Sequence, residues 1–124
     1  MIAVDTSSMV AFLEGADGDD ADVVASALDH QQLALPPVVL TELLSDPGIA
    51  TRVRDLLASL PLLDVEPGYW ARAGQLRTKI LKTKRKARIA DALIAQSCLD
   101  HGVPLVTRDR DFRHFAQAAG LALL

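Results

Sequence analysis

Short apolar stretches alternate with amphipathic segments of helical length along this 124-residue chain, and this alternation limits its possible folds more than any other feature. The stretches are IAVD at 2–5, LALP at 33–36, LLDVEP at 62–67, PLVTRD at 104–109 and LALL at 121–124. Strands that alternate with helices are joined by crossover connections, which make the strands parallel and cover the sheet with helices. We therefore predict a three-layer α/β sandwich with a small, mainly parallel sheet of four to five strands flanked by helices.

The length and composition fit one domain over residues 1–124. Half of the residues are hydrophobic but only 4% are aromatic, so the core has to be built mainly from Ala, Val, Leu and Ile. Cys98 is the only cysteine, which excludes a disulfide framework and favours a reducing compartment. No apolar run reaches the roughly 20 residues of a membrane span, and we expect a cytoplasmic protein.

Helical patterns fill the segments between and after these strands. The first predicted helix follows Asp5, and the others cover residues 19–30, 38–46, 49–60, 69–82, 87–102 and 111–120. Within 69–82, the apolar residues with helical spacing are Trp70, Ala73, Leu76, Ile80 and Leu81. The helix over 87–102 is predicted to end with Gly102 as its C-cap.

Acidic residues follow two of the predicted strands. Asp5 ends the first strand, Asp109 ends the PLVTRD strand, and Asp111 lies just beyond. In open parallel sheets, ligands bind beyond the carboxyl ends of the strands. If these two strands are neighbours, Asp5 and Asp109 meet at that edge.

Two predicted helices carry further acids with apolar neighbours. Asp91 shares a stripe with Ile94 and Cys98, which predicts that it lies on the inward face of its helix. Glu42 lies one turn after Val38. An ionised carboxylate beside apolar groups is costly unless a positive charge compensates it.

Each of these acids has an ordinary explanation when taken alone, since acids also cap helices, favour first turns or simply face water. Three or four converging acids without matched bases repel one another, and a hard divalent cation with oxygen ligands relieves that repulsion. We therefore predict a metal site. Thr6 and Thr107 would support its carboxylates, although their hydroxyl groups could instead cap helices.

Charge is distributed unevenly along the chain. Residues 1–71 hold twelve acids and two bases, whereas residues 72–88 hold eight bases and no acid. A basic segment of this kind can contact the phosphates of a nucleic acid, or it can simply be solvated. The basic residues considered for such contacts are Lys82, Lys84, Arg85, Lys86, Arg88 and Arg108.

Four motifs in order along the chain resemble a known family: MIAVDTS at the start, TELL with Glu42, ADALIA with Asp91, and LVTRDRDF with Asp109 and Asp111. Together they resemble PIN-domain proteins, and among these the VapC-type toxins of bacterial toxin–antitoxin pairs. The resemblance covers nearly the whole chain and depends on the ordered set of acids, since no single motif is very specific. It implies a PIN-like fold.

The resemblance also implies an endoribonuclease that depends on Mg2+ or Mn2+, acts as a homodimer and is silenced by a cognate antitoxin. The acids that match the family's quartet are Asp5, Glu42, Asp91 and Asp109. Asp111 matches a further acid often found beside the last of them. Met9, Phe12, Leu56 and Leu57 would form a groove for the antitoxin, or would fill the core instead.

Two other functions are compatible with the sequence. The same fold could bind RNA or a partner protein without catalysis. An aspartyl-nucleophile phosphatase could also place its nucleophile at Asp5, but such enzymes usually carry a second acid two residues on, where this chain has Ser7.

Overall fold

Three parallel strands and seven helices make up the computed structural model, which describes all residues from Met1 to Leu124. In chain order the elements are β1 (Ile2–Val4), α1 (Thr6–Leu13), α2 (Asp19–Asp29), β2 (Leu33–Ala34), α3 (Pro37–Leu44), α4 (Thr51–Ser59), α5 (Tyr69–Lys82), α6 (Ile89–His101), β3 (Leu105–Val106) and α7 (Phe112–Ala119). None of the helices is both long and apolar enough to cross a membrane.

The central strand of the sheet is β1, and the strand order is β2-β1-β3. Ala3 of β1 lies opposite Ala34 on one side and Leu105 on the other, both in parallel register. All three of these residues are at most 1% exposed, because helices flank the sheet. Burial on both faces explains why the strands are continuous apolar stretches instead of alternating ones.

The predicted sheet of four to five strands is wrong, because two of the predicted strands add only single bridges. Leu62 pairs with Leu35, and Leu123 pairs with Leu105. The pairing of Leu62 with Leu35 does not continue, because the chain turns into α3 at Pro37, which has no N–H group to donate. The pairing of Leu123 with Leu105 is equally short, since β3 itself ends one residue later at Val106.

Buried side chains from strands and helices form one core cluster of 24 residues. The helix α6 contributes Ile94, Ala95 and Cys98 to it, as its predicted stripe requires. Gly102 ends α6 with φ of +61°, in the left-handed region where glycine is favoured, so its predicted role as a C-cap is confirmed.

Two of the apolar residues with helical spacing in α5 do not lie on its buried face. The helix has the predicted bounds, but Trp70 is 66% exposed and Leu81 is 45% exposed. Tyr69 is buried in place of Trp70, and its hydroxyl donates to the Leu93 carbonyl at 2.6 Å. A phenol can be buried at low cost when its hydroxyl has a partner.

Candidate metal centre

The carboxyl ends of β1 and β3 lie side by side, and each is followed by an acid of the candidate site. The Asp5 backbone N–H donates to the Val106 carbonyl at 3.1 Å, which extends the β1–β3 ladder up to the acid itself. Asp109 follows β3 by three residues. Parallel pairing therefore delivers both acids to the same edge of the sheet.

The Asp5 carboxylate is buried and held by three residues. Its Oδ1 atom accepts from the Ser7 hydroxyl at 2.8 Å and from the Ser8 N–H at 3.1 Å, and its Oδ2 atom accepts from the Thr107 hydroxyl at 2.6 Å. The bond from Ser8 makes Asp5 the N-cap of α1, so this acid both caps a helix and lines the candidate site. Burial raises the pKa of Asp5, although these hydrogen bonds oppose the rise.

The loop that follows β3 is organised by its own side chains. The Thr107 hydroxyl accepts from the Asp109 N–H at 2.9 Å, and the Asp109 Oδ1 atom accepts from the Asp111 N–H at 2.9 Å. Each side chain thus fixes the backbone two residues further on, in the manner of successive Asx-type turns. The loop therefore presents both of its acids in a defined orientation.

Asp91 completes the cluster from the first turn of α6. It is 8% exposed, and its nearest carboxylate oxygen lies within 4.8 Å of one from Asp109 and one from Asp111. The predicted inward face of α6 does place Asp91 at the edge of the core. The pKa of Asp91 is raised to about 6, mainly by burial and secondly by repulsion from Asp109, while Arg88 opposes the rise.

Glu42 lies at the rim of the same cleft, outside the group of three converging acids. It is exposed on α3 and accepts from the Thr6 hydroxyl at 2.9 Å. The residues that line the cleft are Asp5, Thr6, Ser7, Glu42, Arg88, Asp91, Ile94 and Asp109. Among them, the contact from Ser7 to Asp5 was not predicted from the sequence.

These side chains fit a hard divalent cation. All of the converging donors are carboxylate oxygens, which Mg2+ and Mn2+ prefer, and no histidine or cysteine takes part. The three acids within 4.8 Å of one another carry more negative charge than Arg88 and Lys86 together balance. Burial, with a further contribution from repulsion by Asp109, raises the pKa of Asp91, and a bound cation would favour its ionised form.

Most of the predicted basic residues lie on or beside the segment that leads from α5 to α6. Lys82 ends α5, Arg88 precedes α6 and lines the cleft, and the Lys86 ammonium lies 4.0 Å from the Asp111 carboxylate. Lys84 is exposed, and Arg85 donates to Gln117. Arg108 differs, because its guanidinium is paired with Asp20 of α2.

Residues 2–118 match the PIN domain family. This chain belongs to the PIN-domain family. Ribonuclease VapC11 of Mycobacterium tuberculosis and VapC ribonuclease Mb1587 of Mycobacterium bovis are each 30% identical to it over 128 aligned positions, covering 98% of this chain and 96% of the relative. The resemblance predicted from the sequence is therefore confirmed.

Solved structures show the same PIN fold over the full length of the chain. VapBC-5 from Mycobacterium tuberculosis is 24% identical, with a TM-score of 0.71 over 99% of this chain and 96% of that one. VapBC2 from Rickettsia felis, solved bound to a DNA fragment from its promoter, is 21% identical, with a TM-score of 0.73 over 100% and 98%. The first of these is described as a member of the VapBC family of toxin–antitoxin systems.

Asp91→Asn is expected to stabilise the metal-free protein near neutral pH. The folded-state pKa of about 6 exceeds the usual 3.8, so the native state loses stability as pH rises from about 4 through 6, by up to about 3 kcal/mol. The variant should lack this loss. Free energies of unfolding from urea titrations in EDTA, between pH 4 and 8, measure the difference.

Asp100→Asn is the control, because hydrogen bonds from Arg72 and Gln96 lower the pKa of Asp100. Removing the Asp100 carboxylate should destabilise the protein at neutral pH, whereas removing the Asp91 carboxylate should stabilise it. A loss of stability in Asp91→Asn at pH 7 would contradict the conclusion that the buried, ionised Asp91 carboxylate destabilises the metal-free protein.

Proposed function

We propose that this PIN-domain chain is a metal-dependent endoribonuclease and the toxin of a toxin–antitoxin pair. The observation that carries the proposal is the convergence of Asp91, Asp109 and Asp111 beside Asp5, at the carboxyl edge of the sheet. Relatives that match nearly the full length are named VapC ribonucleases, which supports RNA as the substrate.

The acids would hold Mg2+ or Mn2+ through carboxylate oxygens. Asp91, Asp109 and Asp111 are the nearest set, and Asp5 and Glu42 line the same cleft. When bound there, the cation would lower the pKa of a water molecule and neutralise negative charge that develops on the phosphate. RNA would then be cleaved by hydrolysis, leaving a 5′-phosphate and a 3′-hydroxyl.

The chain's own contribution is a site that is organised before substrate arrives. Ser7, Ser8 and Thr107 restrict the Asp5 carboxylate to one orientation. Glu42, held at the rim by Thr6, is placed to orient a water molecule or to add a ligand oxygen. Fixed polar groups of this kind need little rearrangement during the reaction, which is a main source of catalytic rate.

The basic segment offers a path for the RNA backbone to the acids. Residues 82–88 are basic except for Thr83 and Ala87, and the segment ends at Arg88 in the wall of the cleft. Phosphates bound along it would arrive beside Asp91. We expect this contribution to be independent of sequence and to weaken as salt rises.

Purified protein is expected to cleave a pool of structured RNAs with Mg2+ or Mn2+ and not with EDTA. Asp5→Asn and Asp91→Asn should each lower the rate on the order of 100-fold or more, the loss seen when one group that stabilises developing charge is removed. Asp55→Asn, an exposed acid on α4, is the matched control and should retain activity. Products with 2′,3′-cyclic phosphate ends, or activity that persists in EDTA, would contradict the proposal.

An antitoxin segment would bind the apolar groove beside the acids. The groove lies between α1, α3 and α4, is lined by Val10, Leu13, Ile49 and Val53 among others, and shares Glu42 with the acidic cleft. Of the groove residues expected from the sequence, Met9 and Leu57 are at most 1% exposed and belong to the core, although Leu57 also lines the groove floor.

The rim of this groove is acidic, because it includes Glu14, Glu42 and Asp46. The complementary partner is an amphipathic segment with apolar and basic side chains. Val53→Glu should leave RNA cleavage intact and release it from inhibition by the cognate antitoxin when the two proteins are co-expressed. Leu44→Glu, an exposed apolar residue of α3 outside the groove, is the control. If the antitoxin still inhibited Val53→Glu fully, this groove would be excluded as its binding site.

A second exposed apolar patch suits a homodimer. Trp70 is 66% exposed and Val65 is 46% exposed, and both border a depression that also contains Val38 and Leu93. Large aromatic side chains exposed in this way are typical of protein interfaces. We propose that a second copy of the chain covers this patch.

Trp70→Glu is expected to convert a dimer to a monomer, because it places a charge in a buried apolar interface. Light scattering after size-exclusion chromatography measures the mass. Leu81→Glu changes another exposed apolar residue, near the far end of α5, and should remain dimeric. If Trp70→Glu remained a dimer, or if the unsubstituted chain were a monomer, the proposal that a second copy covers the Trp70 patch would be contradicted.

A further inference from the structure

An ion pair joins α2 to the loop after β3, next to residues that hold Asp5 of the acidic cleft. The Arg108 Nε and Nη2 atoms each donate to one carboxylate oxygen of Asp20 at 2.8 Å, which is a two-pronged arrangement. The Nη2 atom also reaches the Asp17 carbonyl at 3.4 Å. Such a fork fixes direction as well as distance between its partners.

Hydrogen bonds connect this ion pair to Asp5 on two sides. The Ser8 hydroxyl donates to Asp20 at 2.8 Å, while the Ser8 backbone N–H donates to Asp5. On the other side, Arg108 is covalently next to Thr107, whose hydroxyl donates to Asp5 at 2.6 Å. The five residues form a closed ring around the end of β1.

The start of α2 is built to admit this contact. Gly18 precedes α2 with φ of +145°, and a Cβ atom added there would lie 2.7 Å from Asp20 Oδ1 and 3.1 Å from Arg108 Nη2. Any other residue would press against the ion pair and would also be strained by the positive φ.

The ion pair contributes little to global stability, because the Arg108 side chain is 41% exposed and pairs of this kind are worth about 0 to 1 kcal/mol. Its place in the ring points instead to a local role. Asp109 and Thr107 flank Arg108 in the sequence, and both belong to the cleft or support it. Holding the guanidinium therefore restrains both neighbours.

We propose that Asp20 and Arg108 are positioning residues for the acidic cleft, because their ion pair fixes the loop 107–111. The fixed loop keeps the Thr107 hydroxyl bonded to the Asp5 carboxylate and keeps Asp109 beside Asp91. This inference rests on the proposed function, since it assigns the pair to the site of the metal-dependent nuclease. It also gives Arg108 a role different from the RNA contact expected from the sequence.

A metal-free measurement tests the positioning itself. The backbone N–H groups of Asp109 and Asp111 donate hydrogen bonds to side chains of the same loop. The rate at which these two N–H groups exchange with solvent therefore reports whether the loop keeps its conformation. In EDTA, Asp20→Asn and Arg108→Gln should each speed exchange at both amides by about tenfold relative to core amides. Unchanged exchange at both positions would overturn the proposal whether or not the chain proves to be a nuclease.

Mn2+ affinity, followed by the electron paramagnetic resonance signal of free Mn2+, separates positioning from simple charge. Both single variants should weaken Mn2+ binding by about tenfold, the loss found when partners of metal ligands are removed. The double variant should be no weaker than the worse single one, because both changes break the same contact. If charge alone mattered, Arg108→Gln would tighten Mn2+ binding and Asp20→Asn would weaken it, which would overturn the proposal.

The matched control is the ion pair of Arg72 with Asp100, which is also two-pronged and joins α5 to the far end of α6. Asp100→Asn should lower thermal stability at least as much as Asp20→Asn, while Mn2+ affinity and loop exchange stay unchanged. If Asp100→Asn and Asp20→Asn changed Mn2+ affinity and loop exchange equally, the role of the Asp20–Arg108 pair would be a general structural one, and the proposal would be overturned. Loop exchange that responds as expected in a chain that neither binds Mn2+ nor cleaves RNA would instead reject only the nuclease.

Discussion

Parallel pairing of β1 with β3 is the interaction on which the candidate site depends. The pairing continues past the strand, where the Asp5 N–H donates to the Val106 carbonyl. It brings together two chain segments that are about 100 residues apart in sequence, so no local preference could create the site alone. The buried apolar residues of the two strands stabilise this pairing, and the acids at its end are carried with it.

Those acids are placed where their charges are costly. Asp5 and Asp91 are buried, their pKa values are raised, and Asp109 repels both. A fold has little reason to keep such groups at the edge of its core unless a bound cation or a substrate uses them. Hydroxyl donors from Ser7 and Thr107 satisfy Asp5 without adding positive charge, so the cleft stays negative overall and suits a metal ion.

Much of this arrangement could be predicted because it follows local patterns. The bounds of α5, the inward stripe of α6 and the acids after the strands are all readable from periodicity and from the positions of carboxylates. Helical spacing did not reveal that Trp70 is exposed, because Tyr69 and Trp70 are adjacent and either ring fits the spacing with Ala73. The number of strands was overestimated because an apolar stretch does not reveal how many ladder bonds it makes.

The pair of Asp20 with Arg108 had no signal in the sequence. The two residues are 88 positions apart, Asp20 lies in a run of acids that resembles an ordinary helix start, and Arg108 lies among alternating charges. Only the three-dimensional packing of α2 against the strand edge selects one acid from that run. Contacts that depend on the assembled fold in this way are the ones that patterning cannot supply.

The central claim is that Asp91, Asp109 and Asp111 hold a divalent cation. Anomalous diffraction from crystals soaked in Mn2+, recorded near the manganese absorption edge, locates that ion directly. We expect a peak within about 2.0 to 2.5 Å of oxygens from at least two of these carboxylates, in the range of distances for hard cations. A Mn2+ peak elsewhere, or no peak at these acids above pH 7, would contradict it.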